Sequence, residues 1–171
     1  AREMYALETL VGQSEETEAV RRVVSNTCKN REPVLLVGPA GSGKTHIART
    51  IHFHSGFTGS LIEVNCSGMD AGTIERELFG HRSGEEEQPG LLHYAADGTL
   101  FLEEIEAISK ELQDRLRALL ETGRFHRQGT EVMEDSRARL IFGTVQPLTE
   151  LVRGGLFKRN FAELINGQEI Q

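Results

Sequence analysis

Cysteine, basic charge and long apolar runs are all scarce in this chain of 171 residues. The only two cysteines, Cys28 and Cys66, stand far apart with no C-x-x-C spacing. That pattern argues against a disulfide framework or a zinc site and suits two structural thiols in a reducing compartment. Lysine and arginine number 19 against 26 acidic residues, a formal charge of -7. A generally basic nucleic-acid surface is therefore excluded, and no direct DNA contact by this segment is expected. No apolar run approaches membrane-spanning length, and charges occupy the N-terminal stretch where a signal peptide carries its apolar core. The expectation is a soluble cytoplasmic domain with no membrane contact. The length fits one compact domain rather than two, and no internal repeat or low-complexity tract is present. Composition, at 38% hydrophobic and 26% charged, is ordinary, so the fold has to be read from pattern.

The most informative stretch is Gly38-Pro39-Ala40-Gly41-Ser42-Gly43-Lys44-Thr45. It fits G-x-x-x-x-G-K-[ST] in full, between an apolar run (Pro33 to Val37) and a segment that reads as a helix (Thr45 to His54). Small residues let successive backbone N–H groups turn inward around a polyphosphate, and the helix that follows points its positive end at the same anion. Lys44 reaches the terminal phosphates and the Thr45 hydroxyl is placed for Mg²⁺. Gly38, Gly41, Ser42, Gly43, Lys44 and Thr45 are accordingly the candidate nucleotide-binding residues, with ATP or ADP and Mg²⁺ as cofactors.

Around this loop the chain punctuates clearly. After an apolar-then-turn entry at Leu10 to Gln13, Ser14 is placed to cap a helix carrying Ala19, Val20, Val23, Val24 and Thr27 at helical spacing. Leu61 to Asn65 reads as a second strand, joined to the first through a helix, hence a parallel sheet. Asp70 to Phe79 predicts a helix ending at Gly80. His81 to Pro89, with Glu85, Glu86 and Glu87 between Gly84 and Pro89, predicts an exposed loop with solvated charges. Leu91 to Ala96 predicts a short helix, and Thr99 to Leu102 a buried strand ending in Glu103 and Glu104. Ser109 caps an amphipathic helix with Leu112, Leu116, Leu119 and Leu120 on one face and Gly123 closing it. Phe125 to Met133, with Gly129 in the middle, predicts a hairpin or protruding loop, where Arg124, His126 and Arg127 read as part of a solvated hairpin in preference to a basic interaction patch, and Arg139 to Thr144 predicts a fourth strand. Thr149 to Arg153 and Phe157 to Ile165 read as short helices. His52 and His54 lie two apart and share no helix face, so they read as ordinary helix-end residues rather than metal ligands.

A phosphate loop alone does not hydrolyse ATP; a metal-ordering carboxylate and a group that positions water are also needed. Leu100-Phe101-Leu102-Glu103-Glu104 places two acids at the C-terminal edge of a buried strand, where ligands sit in open α/β sheets. Glu103 is the candidate for Mg²⁺, through water, and Glu104 for polarising the attacking water.

With these motifs in view, the chain resembles the central AAA+ domain of bacterial enhancer-binding proteins, the ATP-driven activators of sigma-54 RNA polymerase. The resemblance runs from about Leu10 to Ile165. It rests on Val11-Gly12-Gln13-Ser14, the phosphate loop, Val64-Asn65-Cys66, Glu77-Leu78-Phe79-Gly80-His81, Gly98 to Ile105, Leu112-Gln113 and Gly123-Arg124-Phe125. It implies an α/β AAA+ P-loop NTPase fold with a parallel five-stranded sheet flanked by helices. Residues 1–171 correspond, on this resemblance, to the nucleotide-binding α/β subdomain, with the family's helical lid expected to begin near Gln171. The resemblance places Val11 and Gly12 near the adenine, makes Glu104 the catalytic glutamate and gives Asn65 the task of holding it in a nucleotide-sensitive switch. It implies homo-oligomers, hexamer or heptamer when active, and contact with RNA polymerase or another transcription partner through flanking regions.

Four departures from the family pattern modify that expectation. Glu103 replaces the usual aspartate, and one extra methylene bears on Mg²⁺ geometry. The sigma-54-contacting Gly-Ala-Phe-Thr-Gly-Ala loop is replaced by a shorter Arg82-Ser83-Gly84-Glu85-Glu86-Glu87-Gln88, which argues against remodelling sigma-54 polymerase in the usual way. The phosphate sensor Thr-Asn reads Thr144-Val145, leaving only the Thr144 hydroxyl. Lys158 and Leu164 stand at the two arginine-finger positions, leaving Lys158 or Arg159 as candidate trans-acting cations. Two functions remain: a nucleotide-responsive assembly switch with weak or no hydrolysis, and an assembly-dependent ATPase acting on a partner other than sigma-54 polymerase.

Overall fold

The computed structural model describes residues 15–27, 30–167 and 169–170. The entry segment at Leu10 to Gln13 with Val11 and Gly12, the Ser14 cap and Cys28 lie outside the described residues. The first helix, α1 (Glu15–Thr27), buries Val24 and Thr27; the side chains of Ala19, Val20 and Val23 lie outside those described.

Five parallel strands form the central sheet: β1 (Val34–Val37), β2 (Leu61–Asn65), β5 (Thr99–Glu103), β8 (Arg139–Thr144) and β9 (Glu169–Ile170), in the spatial order β2-β5-β8-β1-β9. Two hairpins lie outside this sheet, β3 (Gly80–Ser83) with β4 (Glu86–Pro89) and β6 (Arg124–His126) with β7 (Met133–Asp135). The sequence pointed to four strands in the sheet by position. The fifth, β9, is two residues long, too short to show periodicity, and joins by pairing with Leu35 and Leu36. β1 and β2 are parallel, yet they are not neighbours, because β5 and β8 are inserted between them.

Alternation along the strands sends side chains to two cores. Leu35, Leu100, Leu102, Leu140 and Phe142 face one layer of helices. That layer comprises α3 (Ala71–Phe79), α4 (Leu91–Tyr94), α5 (Lys110–Thr122), α6 (Leu148–Arg153) and α7 (Arg159–Ile165). Val34, Leu36, Phe101 and Ile141 face Val24 of α1 and Ala48 and Ile51 of α2 (Lys44–Ser55). A sheet covered on both faces has no wet side, which is why its strands read as continuous apolar runs. At the N-terminal end of β8, Arg139 is fully buried. Its guanidinium donates to the Glu32 carbonyl at 3.2 Å, Ser55 Oγ at 3.4 Å and Asn30 Oδ1 at 3.5 Å, binding the approach to β1 to the end of α2.

The expected loop over His81 to Pro89 is instead the antiparallel hairpin β3–β4, paired from Gly80↔Pro89 to Ser83↔Glu86. Its residues are polar on both faces, so no alternation marked it as strand. The second hairpin supplies the missing partner. The Arg82 N–H donates to the Gln128 carbonyl at 2.7 Å, and the Gln128 N–H to the Gly80 carbonyl at 2.9 Å. Gly129 permits this approach: at φ +89, a β-carbon there would stand 2.2 Å from the Arg82 carbonyl oxygen. Glu85, Glu86 and Glu87 are exposed, as expected. The reading of Arg127 as part of a solvated hairpin is corrected. Its side chain is only 11% exposed, paired with Glu134 at 2.8 Å and with Glu87 at 3.6 Å across the hairpins. Below them, the Arg115 guanidinium stacks on the Phe79 ring at 3.8 Å and donates to the His126 carbonyl.

Ser109 caps α5 as expected, accepting from the Leu112 N–H. Other helices differ at their edges: the one read over Leu91 to Ala96 ends at Tyr94, the one over Phe157 to Ile165 starts at Arg159, and Asp70 is the N-cap of α3, accepting from the Thr73 N–H. His52 is buried with Nδ1 2.8 Å from Thr99 Oγ1, and burial holds its pKa below the ordinary value.

Candidate nucleotide-binding site

The site is built at the C-terminal ends of β1, β5 and β8. After Val37 the chain enters the phosphate loop, anchored by the Gly38 N–H donating to the Thr144 carbonyl at 3.0 Å. Gly41 and Gly43 adopt φ +78 and +95, with no other atom within 4 Å of where a β-carbon would stand. The demand for glycine is therefore torsional: the loop must turn left-handed to bring its N–H groups inward, and glycine does so without steric penalty. α2 starts immediately after Gly43. Lys44 folds its ammonium back onto the carbonyls of Gly38 and Pro39, contacts that an anionic phosphate would replace with ion pairs.

From β5, Glu103 Oε1 accepts a hydrogen bond from Thr45 Oγ1 at 2.8 Å. The longer glutamate thus reaches the threonine directly, and the two groups present hard oxygen donors of the kind that would hold Mg²⁺. Glu104 follows at φ 55, ψ 51, left-handed backbone that costs a residue with a β-carbon about 1–2 kcal/mol. Strain of this kind clusters at sites where a side chain must be aimed. The acidic edge is felt at Cys66, buried beneath it: burial first, then the carboxylates of Glu106, Glu104 and Glu103, push its thiol up to about 12.

Gly41, Gly43, Lys44, Thr45, Glu103, Glu104 and Thr144 line one open cleft of about 500 Å³. Among the described residues, Gly38, Ser42, Asn65, Lys158 and Arg159 do not line it. Gly38 and Ser42 shape the loop from behind. Asn65 sits across the ladder from Glu103, but its side-chain oxygen accepts from the Ser67 N–H at 2.9 Å and the Ser67 hydroxyl at 2.7 Å, and no hydrogen bond joins it to Glu104. Thr144 reaches the cleft wall, yet its hydroxyl is engaged with Gln146, donating to the carbonyl at 2.9 Å and accepting from the N–H at 3.2 Å. Lys158 is tied to Asp114 at 2.7 Å, and its N–H donates to the buried Gln113 amide. Arg159 is exposed on α7. Sequence reasoning missed Arg49, which lines the cleft and grips Glu63 through two hydrogen bonds of 2.6 and 3.0 Å. Its signal was available, since Arg49 lies four residues after Thr45 on the same helix face.

Comparison with known proteins gives the chain its family. The sequence profile of the sigma-54 interaction domain matches residues 10–171. The chain belongs to the sigma-54 interaction domain family. Among curated members of that family, it is 35% identical over 156 residues to the transcriptional regulatory protein RtcR of Escherichia coli K12, an alignment covering 86% of this chain and 29% of RtcR. It is 34% identical over 168 residues to the Nif-specific regulatory protein of Herbaspirillum seropedicae, covering 95% of this chain and 31% of that protein. The chain thus spans under a third of the length of these two relatives. Among solved structures, NtrX from Brucella abortus, crystallised in complex with ATP, superposes with a TM-score of 0.84 at 27% identity, over 94% of this chain and 37% of NtrX. The P-loop NTPase domain of a sigma-54 activator from E. coli gives a TM-score of 0.66 at 21% identity, over 94% of this chain and 96% of that domain, a likeness of fold alone. This member of the sigma-54 interaction domain family therefore has the AAA+ P-loop NTPase fold expected for it. Among its described residues, no helix is long and apolar enough to cross a membrane and no group of histidine, cysteine and acidic residues forms a metal cluster.

Proposed function

We propose that this chain is the ATP- and ADP-binding AAA+ module of a bacterial transcriptional regulator, working as a nucleotide-responsive assembly switch with weak or no hydrolysis. The observation that carries the reading is the convergence of Lys44, Thr45, Glu103 and Glu104 on one open cleft behind a left-handed glycine loop. Backbone N–H groups and Lys44 would bind the phosphates, and Thr45 and Glu103 would hold Mg²⁺. The NtrX structures with ATP and with ADP are consistent with this. Weak turnover is favoured by the engaged Thr144 hydroxyl, the exposed Val145 where the family carries an amide, and the pairing of Lys158 with Asp114. The assembly would be a ring of six or seven copies, acting on RNA polymerase or another transcription partner through flanking regions.

The strained placement of Glu104 on the cleft favours a second reading, an assembly-dependent ATPase acting on a partner other than sigma-54 polymerase. Calorimetric titration with Mg-ATP, alongside steady-state turnover across a wide protein-concentration range, tests both. Loss of the Lys44 ammonium is expected to weaken ATP binding about ten- to a hundredfold, the value of one hydrogen bond to a charged group. Unchanged affinity in Lys44→Ala would end the nucleotide reading. Turnover that rises with concentration and vanishes in Glu104→Gln would establish the ATPase over the switch.

A further inference from the structure

Besides Lys44, the nucleotide cleft is lined by a guanidinium that is held back from it. Arg49 borders the cleft and grips Glu63 in a two-pronged pair, Nε donating to Oε1 at 2.6 Å and Nη2 to Oε2 at 3.0 Å. Two polar contacts between α2 and the sheet thus stand one above the other. Thr45 meets Glu103 on β5, and Arg49, one turn or about 5.4 Å further along the helix, meets Glu63 on β2. The sheet is stepped to match. Asn65 lies opposite Glu103, and Glu63 stands two residues before Asn65 on the same side of β2, about 6.6 Å down the strand. Long side chains on a helix lie over the turn that precedes their own Cα. For Arg49 that turn carries Thr45, so the path from Glu63 towards the phosphate end of the cleft needs only torsions of a flexible stem.

The pair with Glu63 is readily exchanged. The two side chains are 38% and 30% exposed, and solvent screening keeps so open an ion pair weak. A terminal phosphate is the stronger competitor, since it carries about two negative charges to the carboxylate's one and fits the same planar fork. The cleft also lacks positive charge. ATP brings roughly four negative charges and Glu103 and Glu104 add two, against about three positive charges from one Mg²⁺ and Lys44. ADP lacks the terminal phosphate and pulls less. Glu63, once released, lies on β2 at the edge of the sheet, where water replaces the guanidinium.

We propose that Arg49 is the residue by which a single copy of this chain tells ATP from ADP: its guanidinium leaves Glu63 for the terminal phosphate of ATP and stays on Glu63 when ADP is bound. This rests on the nucleotide-binding reading above. Glu63 is then a competitor within the chain that sets how strongly the terminal phosphate is preferred. A lysine at position 49 would keep the charge and lose the fork.

Displacement of a fluorescent ADP analogue from the full chain, by a non-hydrolysable ATP analogue or by ADP in excess Mg²⁺, tests the proposal at two protein concentrations tenfold apart. The measured quantity is the ratio of the two affinities, which a general loss of fold or field does not move selectively. Arg49→Ala is expected to lower the preference for the ATP analogue about tenfold, and Arg49→Lys to recover little of it. Glu63→Gln removes the competing charge while keeping an acceptor, and is expected to raise the preference at least about twofold. Arg76→Ala, on α3 away from the cleft, keeps the wild-type ratio. A ratio unchanged in Arg49→Ala, a Glu63→Gln variant that fails to raise it, or a ratio that shifts with protein concentration overturns the proposal and leaves nucleotide binding standing. Failure of the fluorescent analogue to bind the wild-type chain overturns the nucleotide reading and this inference together.

Discussion

Replacing Gly129 by alanine separates two pictures of the hairpins: one welded unit, or two independent flaps. Left-handed backbone costs a residue with a β-carbon about 1–2 kcal/mol. At Gly129 the new carbon would also stand 2.2 Å from the Arg82 carbonyl oxygen. The clashing atom is backbone, so relief requires parting the joint. That joint holds two hydrogen bonds, Arg82 to Gln128 at 2.7 Å and Gln128 to Gly80 at 2.9 Å, each contributing about 0.5–1.5 kcal/mol net. The local loss is therefore about 2–5 kcal/mol, which speeds hydrogen exchange of the Arg82 and Gln128 amides by about thirtyfold to a few thousandfold. Gly84→Ala is the matched control, because Gly84 has φ +62 with nothing within 4 Å of an added β-carbon. It carries strain without collision and leaves the joint in place. Native-state hydrogen exchange read residue by residue is the assay. An Arg82 amide in Gly129→Ala that exchanges within about fivefold of the wild-type rate, or no faster than in Gly84→Ala, would refute the welded unit.

Two further outcomes follow from buried groups. Arg139→Met strips the donor from three acceptors around a fully buried position, and the expected destabilisation in urea unfolding is about 2–4 kcal/mol; a change below about 1 kcal/mol would show that the apolar isostere repacks there at little cost. The Cys66 thiol, held up to about 12 against an ordinary 9.0, binds its proton in the folded chain where the unfolded chain has released it. Stability accordingly falls as pH rises from about 9 towards 12 and is untouched by this group below that window. Denaturation midpoints measured across alkaline pH should lose part of that slope in Cys66→Ala.

The two hairpins also show where sequence reading fails. β5 and β8 were legible because strands buried on both faces appear as apolar runs. Gly80 to Pro89 was not, because its strands owe their order to a partner more than forty residues away rather than to a hydrophobic face. Arg127 was read as solvated for the same reason: Glu87 and Glu134 meet it only when the hairpins lie side by side. Arg139 announced nothing, since a lone arginine at a strand start gives no hint of burial. At the site, the glycine loop, Lys44, Thr45, Glu103 and Glu104 were all readable, because phosphate and cation chemistry fixes those residue types at local spacings. The state of Asn65 was not. Its amide is held by Ser67, two residues on, in a local turn that competes with the longer reach to Glu104.

By itself, then, the sequence determined the phosphate loop, the acidic strand end and the doubly buried sheet, each a local consequence of torsional freedom, charge or burial. Only the tertiary structure decided strand order, the welding of the hairpins, the pairing of Lys158 with Asp114 and the exposure of Arg159. Those depend on which distant segments meet, and local spacing does not encode that.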